Sequence, residues 1–169
     1  MQTKEILINC VRFVVLVFLQ VFLLNNINLA GYINPYVYIL FILLYPSNGN
    51  QLLLIFLSFL LGLSVDIFED SGGVHAAACV FVAYIRPIIL KYAFGISYEY
   101  NIVKLEKSPA GERLVYVASI IFFHNLIMFA LEIFSFEHIM LLLKSTLFSG
   151  LFTLILILGS LILFSKKEV

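Results

Sequence analysis

The sequence predicts an all-α integral membrane protein, a six-transmembrane-helix bundle forming a single membrane domain over residues 1–169. Three observations lead there. The chain is 63% hydrophobic and 12% charged, with a mean hydropathy of +1.09; soluble domains are roughly half apolar and a quarter charged. Its polar residues gather at the ends of long apolar runs, whereas a soluble helix carries them along one whole face. At about 20 residues per crossing, a chain of 169 residues has room for six spans and none for a separate soluble catalytic domain. The net charge is zero, so no overall field points to nucleic acid.

The first span is expected at 6–24. Lys4 and Arg12 give it the look of a signal peptide, but Asn25-Asn26-Ile27-Asn28 offers no small-x-small cleavage site, so it is read as a retained helix. The second, 28–46, is interrupted by Gly31 and Pro35 and closed by Pro46. The stretch between the prolines covers only about half of the bilayer core at 1.5 Å per residue, so a kinked or partly unwound element is expected under cover of neighbouring helices. The third span, 51–67, runs into Asp66 and is followed by the turn Glu69-Asp70-Ser71-Gly72-Gly73, where glycine accepts positive φ and Ser71 is placed to cap the next helix. The fourth, 74–94, contains Arg86-Pro87. Residues 95–112 form the one long polar loop, read either as a short interfacial segment or as a solvated linker. The fifth and sixth spans are 113–134 and 138–164.

Charge gives an independent check. With six crossings, Lys4, Arg12, Arg86, Lys91, Lys104, Lys107, Arg113, Lys166 and Lys167 fall on one side. Asp66, Glu69, Asp70, Glu132 and Glu137 fall on the other, with only Lys144 nearby. The positive-inside pattern places both termini and the 95–112 loop in the cytoplasm. Cys10 and Cys79 lie in opposite leaflets on this topology, so neither a disulfide nor a metal site is expected of them.

Ionisable residues inside spans are weighed one by one, because burying them is expensive. Ser58, Gly62 and Asp66 recur every four residues and share one helix face, whose small members let a neighbouring backbone approach. Asp66 is read either as a polar anchor for a neighbouring helix or partner, or as a carboxylate in water at the outer interface. A calcium site from Asp66, Glu69 and Asp70 lacks the spacing of a calcium loop. Arg86 either snorkels to cytoplasmic headgroups or binds a lipid phosphate or a backbone carbonyl freed by the proline kink. His124-Asn125 suits a helix-to-helix hydrogen bond better than a proton relay or substrate contact. Lys144 is placed to pair with Glu132 or Glu137, and Ser145, Ser149 and Thr153 read as a packing face. Gly62-Leu63-Ser64-Val65-Asp66 lacks the second glycine of a nucleophile elbow, and His75, His124 and His138 form no HExxH pair. No enzyme and no cofactor are expected.

Several of these residues also carry a resemblance. Pro35 and Pro46 bracket the second span, Gly62, Leu63 and Asp66 close the third, and Gly73-Val74-His75-Ala76 leads into the fourth, which ends Ala83-Tyr84-Ile85-Arg86-Pro87. This pattern, over about a third of the chain, resembles the rod shape-determining protein MreD family. The chain departs from it in a more acidic 66–70 turn and a longer 95–112 loop. The resemblance implies a bundle similar to the S-component architecture of energy-coupling-factor transporters. It also implies a non-enzymatic subunit of the bacterial elongation (Rod) machinery in the cytoplasmic (inner) membrane. Its implied partners are an MreC-like membrane protein, the MreB cytoskeleton, the RodA glycosyltransferase and a class B penicillin-binding protein.

Two readings of function follow. The first is a scaffold, in contact with membrane lipids and possible as a homodimer, that packs against neighbours through Ser58, Gly62, Asp66, Gly73, Arg86 and the kink at Pro35. The second is a vitamin-binding transporter subunit, for which His124, Asn125 and Arg86 are the candidate pocket residues. An enzyme acting on lipid-linked substrates would need paired acids or a nucleophile deep in one leaflet, and the sequence supplies neither.

Overall fold

The computed structural model describes residues 3–25, 27, 33–95, 105, 108–133 and 139–164. Gly31, Lys104, Lys107, Glu137, His138, Lys166 and Lys167 lie outside them, as does most of the 95–112 loop. Five helices are long and apolar enough to cross a membrane. They are α1 (Thr3–Leu19, continued by one π-helical stretch, Gln20–Leu24), α3 (Gln51–Glu69), α4 (Val74–Phe94), α5 (Ala110–Ile133) and α6 (Ile139–Phe164). The protein is a multi-pass helical membrane protein. Its outward faces carry large apolar side chains, with Leu52 77% and Leu163 83% exposed, a surface that water would not tolerate and lipid tails would.

The 28–46 region differs from the other five. Its described part is an extended entry through Pro35, a single 3-10 turn (Val37–Ile39) and the short helix α2 (Leu40–Leu44). It lies in the middle of the bundle. Tyr38, Ile39, Phe41 and Ile42 are among the most completely buried side chains of the protein. The segment runs antiparallel to α1: Gln20 meets Pro35 and Val37, and Arg12 meets Leu44.

Backbone that is not helical must still be hydrogen-bonded inside a membrane, and side chains from two helices, α1 and α6, do this. Asn34 N–H donates to Ser149 Oγ at 3.2 Å and Tyr36 N–H to Thr153 Oγ1 at 3.0 Å. Gln20 accepts from Val37 N–H at 3.0 Å through Oε1 and donates to the Pro35 carbonyl at 3.0 Å through Nε2. The expected packing face of α6 thus bonds to the unwound backbone, and Ser145, Ser149 and Thr153 are all buried.

The ends of the helices follow from local chemistry. Asn50 caps α3, its Oδ1 accepting from Leu52 and Leu53 N–H. Asp70 takes a left-handed conformation at the end of α3, and Gly72 and Gly73, with φ of 69° and 96°, turn the chain into α4. Helix α3 packs on α4, α4 on α5 and α5 on α6, while α1 covers the 37–44 segment and part of α3. All the long helices therefore share two ends. One is mainly basic, with Arg12, Arg86, Lys91 and Arg113 against Glu112; the other is mainly acidic, with Asp66, Glu69, Asp70 and Glu132 against Lys144.

Candidate functional site

The α3–α4 hairpin is assembled around Gly62 and Asp66. A Cβ added at Gly62 would lie 2.5 Å from Ala76 Cα and 2.6 Å from both Ala76 N and His75 C. The two helix backbones therefore touch at a point that admits only glycine. One turn further on, Asp66 is 5% exposed. Its Oδ1 accepts from His75 N–H at 3.0 Å and its Oδ2 from Ala76 N–H at 2.9 Å, so the carboxylate of α3 caps the first turn of α4. Of the two sequence readings, the anchor for a neighbouring helix is the one observed. The expected cap, Ser71, instead donates from Oγ to Asp66 Oδ1 at 2.5 Å. A carboxylate satisfied in this way has little left for a cation. Ser58, on the same face, is fully buried and its hydroxyl has no partner.

Arg86 does not reach the interface. It is 3% exposed, donating from Nε to Tyr116 Oη at 2.8 Å and from Nη2 to the Tyr45 carbonyl, with its guanidinium 6.0 Å from the Tyr45 ring. Tyr45 precedes Pro46 and is extended, so its carbonyl has left the helix. The carbonyl freed by Pro87 belongs to Ala83, four residues earlier. It is taken by Gln51 Nε2 at 2.6 Å. Arg86 thus binds a carbonyl, as one reading held, but one on the central segment.

From the acidic end a chain of polar side chains runs into the core. Glu69 Oε2 is 2.7 Å from His75 Nε2; His75 Nδ1 is 2.7 Å from Tyr38 Oη; Tyr38 Oη is 2.9 Å from His124 Nε2; and His124 Nδ1 is 3.2 Å from Asn125 Oδ1. Tyr38 and His124 are completely buried.

The Tyr38 hydroxyl has a single hydrogen, so it donates to one of the two imidazoles and accepts from the other, which ties the tautomers of His75 and His124 to one another.

Cys79 Sγ also lies near His124 Nε2, at 3.9 Å. That nitrogen is already engaged by Tyr38 and both side chains are sealed from solvent, so the contact is no activated thiol. Lys144 is exposed on α6, and among the described residues no ion pair joins it to Glu132.

The acidic end of the chain opens into a polar crevice of about 530 Å³, whose walls include Asn34, Tyr36, Glu69, His75 and Glu132. Asn34 Oδ1 is buried there with no partner. The trio His124, Asn125 and Arg86, expected to line a common pocket, does not converge. The partner of Arg86 on α5 is Tyr116, two turns or roughly 12 Å along that helix from His124. Sequence reading missed Tyr38, Gln20, Gln51 and Tyr116. Gln20 alone left a signal, as the single polar residue between Phe13 and Leu24.

Fold and site together define a multi-pass helical membrane protein with a sealed polar core and a shallow polar mouth. Comparison with models of known families, with curated proteins and with solved structures finds no match to this chain.

Proposed function

We propose that the protein is a non-enzymatic scaffold subunit of a bacterial cell-elongation complex, of the kind represented by the MreD family. In this reading it lies in the inner membrane with the basic end and both termini in the cytoplasm. The 28–46 region makes a sixth, unwound crossing in a bundle like that of energy-coupling-factor S-components. Its partners are an MreC-like membrane protein and, through it, the MreB cytoskeleton, the RodA glycosyltransferase and a class B penicillin-binding protein.

One observation carries the reading. The residues of the family resemblance are those that interlock the bundle. Gly62 admits Ala76, Asp66 caps α4 at His75, Gly73 turns the hairpin, Arg86 holds the carbonyl before Pro46, and Pro35 is held by Gln20. A pattern spent on internal architecture suits a rigid binding platform better than a catalyst.

The test is co-expression with an MreC-like protein from a genome that encodes both, followed by extraction in mild detergent and size exclusion. A stoichiometric complex is expected. Two proteins that each migrate as folded, separate species would end the scaffold reading.

A second reading, a small-molecule-binding transport subunit, is favoured by the acidic-end crevice and its unpartnered Asn34 Oδ1. A vitamin that occupied it at a hundred times its Kd would stabilise the fold by about 2.7 kcal/mol. A vitamin panel read by thermal unfolding would reveal this, and a flat response across the panel would count against it.

A further inference from the structure

A second cavity shares no lining residue with the crevice above and plays no part in that site. It is a groove of about 700 Å³ between α1 and α3, within the roughly 300–1,000 Å³ typical of small-molecule sites. Phe13 and Val14 form one wall, Leu53, Leu57 and Leu60 the other, and Phe41 of the central segment the floor. Val14 and Leu53 are exposed, so the groove opens sideways toward the membrane. Its mouth, at the basic end, is lined by Asn9, Asn48 and Asn50.

Three features select the occupant. The first is length. From Asn50 to Leu60 the groove follows α3 for roughly 15 Å, half of a ~30 Å hydrocarbon core and therefore one leaflet. The second is Asn9, only 7% exposed. Its Oδ1 accepts from Arg12 at 3.3 Å, which turns Nδ2 the other way, and Nδ2 has no partner. A buried amide left without an acceptor is costly, so the site is complete only with an acceptor beside Asn9. The third is the wall chemistry. Helices dock closely in membranes through small residues; here the small residues Cys10 and Gly49 stand beside the asparagines of the mouth, and beyond them the walls are phenylalanine, valine and leucine, which hold a helix off while leaving room for a flexible chain.

We propose that this groove holds one acyl chain of a glycerophospholipid from the leaflet at the basic end, with Asn9 Nδ2 donating to its ester carbonyl. The inference is independent of the scaffold reading.

The test uses the full chain in nanodiscs containing phosphatidylethanolamine with a diazirine midway along one acyl chain. After irradiation, labelled residues are mapped by mass spectrometry. Label should concentrate on Phe13, Val14 and Leu53–Leu60 relative to equally apolar, exposed positions on α6 such as Ile155 and Leu163. Leu57→Trp fills the groove and should lower its labelling to the α6 level. Asn9→Leu should lower lipid retention through detergent washing about fivefold, the worth of one net hydrogen bond. Should Leu57→Trp fail to fold, Val14→Trp fills the groove from the exposed opposite wall. Uniform labelling of α3 and α6 means ordinary boundary lipid and overturns the proposal. Cross-linking of Leu57 to a helix of another protein or of a second copy, in place of lipid, overturns it equally.

Discussion

Gly62→Ala puts a methyl group in place of a hydrogen, a net gain of one carbon and two hydrogens, at the tightest point in the protein. The new Cβ would stand 2.5 Å from Ala76 Cα and 2.6 Å from Ala76 N, where ordinary contact begins at 3.4 Å. All the obstructing atoms are backbone, so no rotamer relieves the clash, and α3 and α4 must part by roughly 1 Å. Overpacking of this kind costs about 1–3 kcal/mol. The same movement pulls Asp66 from the N–H groups of His75 and Ala76, now 3.0 and 2.9 Å away. A charge-assisted bond of that sort is worth about 1.5–3 kcal/mol, so with one such bond lost the total is about 2.5–6 kcal/mol.

Cys79 supplies the reporter, because it is a fully buried free thiol. In a Cys10→Ser background, a thiol-reactive fluorophore added to detergent-solubilised protein lights up only as the core opens with heat. Gly159→Ala is the control, since nothing lies within 4 Å of its added Cβ and helix propensity alone should stabilise it by about 0.5–1 kcal/mol. The melting midpoint of Gly62→Ala should fall well below wild type and that of Gly159→Ala should not. Equal midpoints for the two alanine variants would refute the close-approach argument.

Three further outcomes follow from the same assay. Ser58→Ala removes a fully buried hydroxyl with no partner, so it should leave stability unchanged or raise it by about 1 kcal/mol; a clear loss would mean the hydroxyl is bonded. Tyr38→Phe strips the shared partner from His75 Nδ1 and His124 Nε2 and should cost about 3 kcal/mol; a silent substitution would remove the chain as a structural element. Gln51→Leu bares the Ala83 carbonyl at a cost of about 1–2 kcal/mol. Pro87→Ala in the same chain should recover it by restoring the helical N–H, and additive losses in the double variant would contradict the assignment.

The long helices were readable because a membrane makes length and apolarity almost sufficient. The expected 51–67, 74–94, 113–134 and 138–164 became Gln51–Glu69, Val74–Phe94, Ala110–Ile133 and Ile139–Phe164. The unwinding between Pro35 and Pro46 was readable for the same reason, since proline cannot continue the ladder. Spacing also put Ser58, Gly62 and Asp66 on one buried face. The partners were not readable. Arg86 looks like a snorkelling residue until Tyr45 and Tyr116, 41 and 30 residues away, are brought beside it. Tyr38 reads as an ordinary aromatic, and only the approach of α4 and α5 makes it the bridge between two histidines. A single sequence shows which polar groups must be satisfied; which groups satisfy them is settled by helix packing, which leaves no local trace.

The central segment has a consequence for biogenesis. Its two backbone N–H groups at Asn34 and Tyr36 depend on Ser149 and Thr153, which lie 115 and 117 residues later in the chain. During synthesis those acceptors do not yet exist, and a segment with bare amides cannot be released into hydrocarbon. It follows, as a hypothesis, that the segment waits at a protected or wet location until α6 has been inserted, so that maturation of the core is the last event in synthesis. Nascent chains truncated after Ile133 should then leave residues 33–45 open to protease, and full-length chains should protect them; equal protection in both would show that the segment settles without α6.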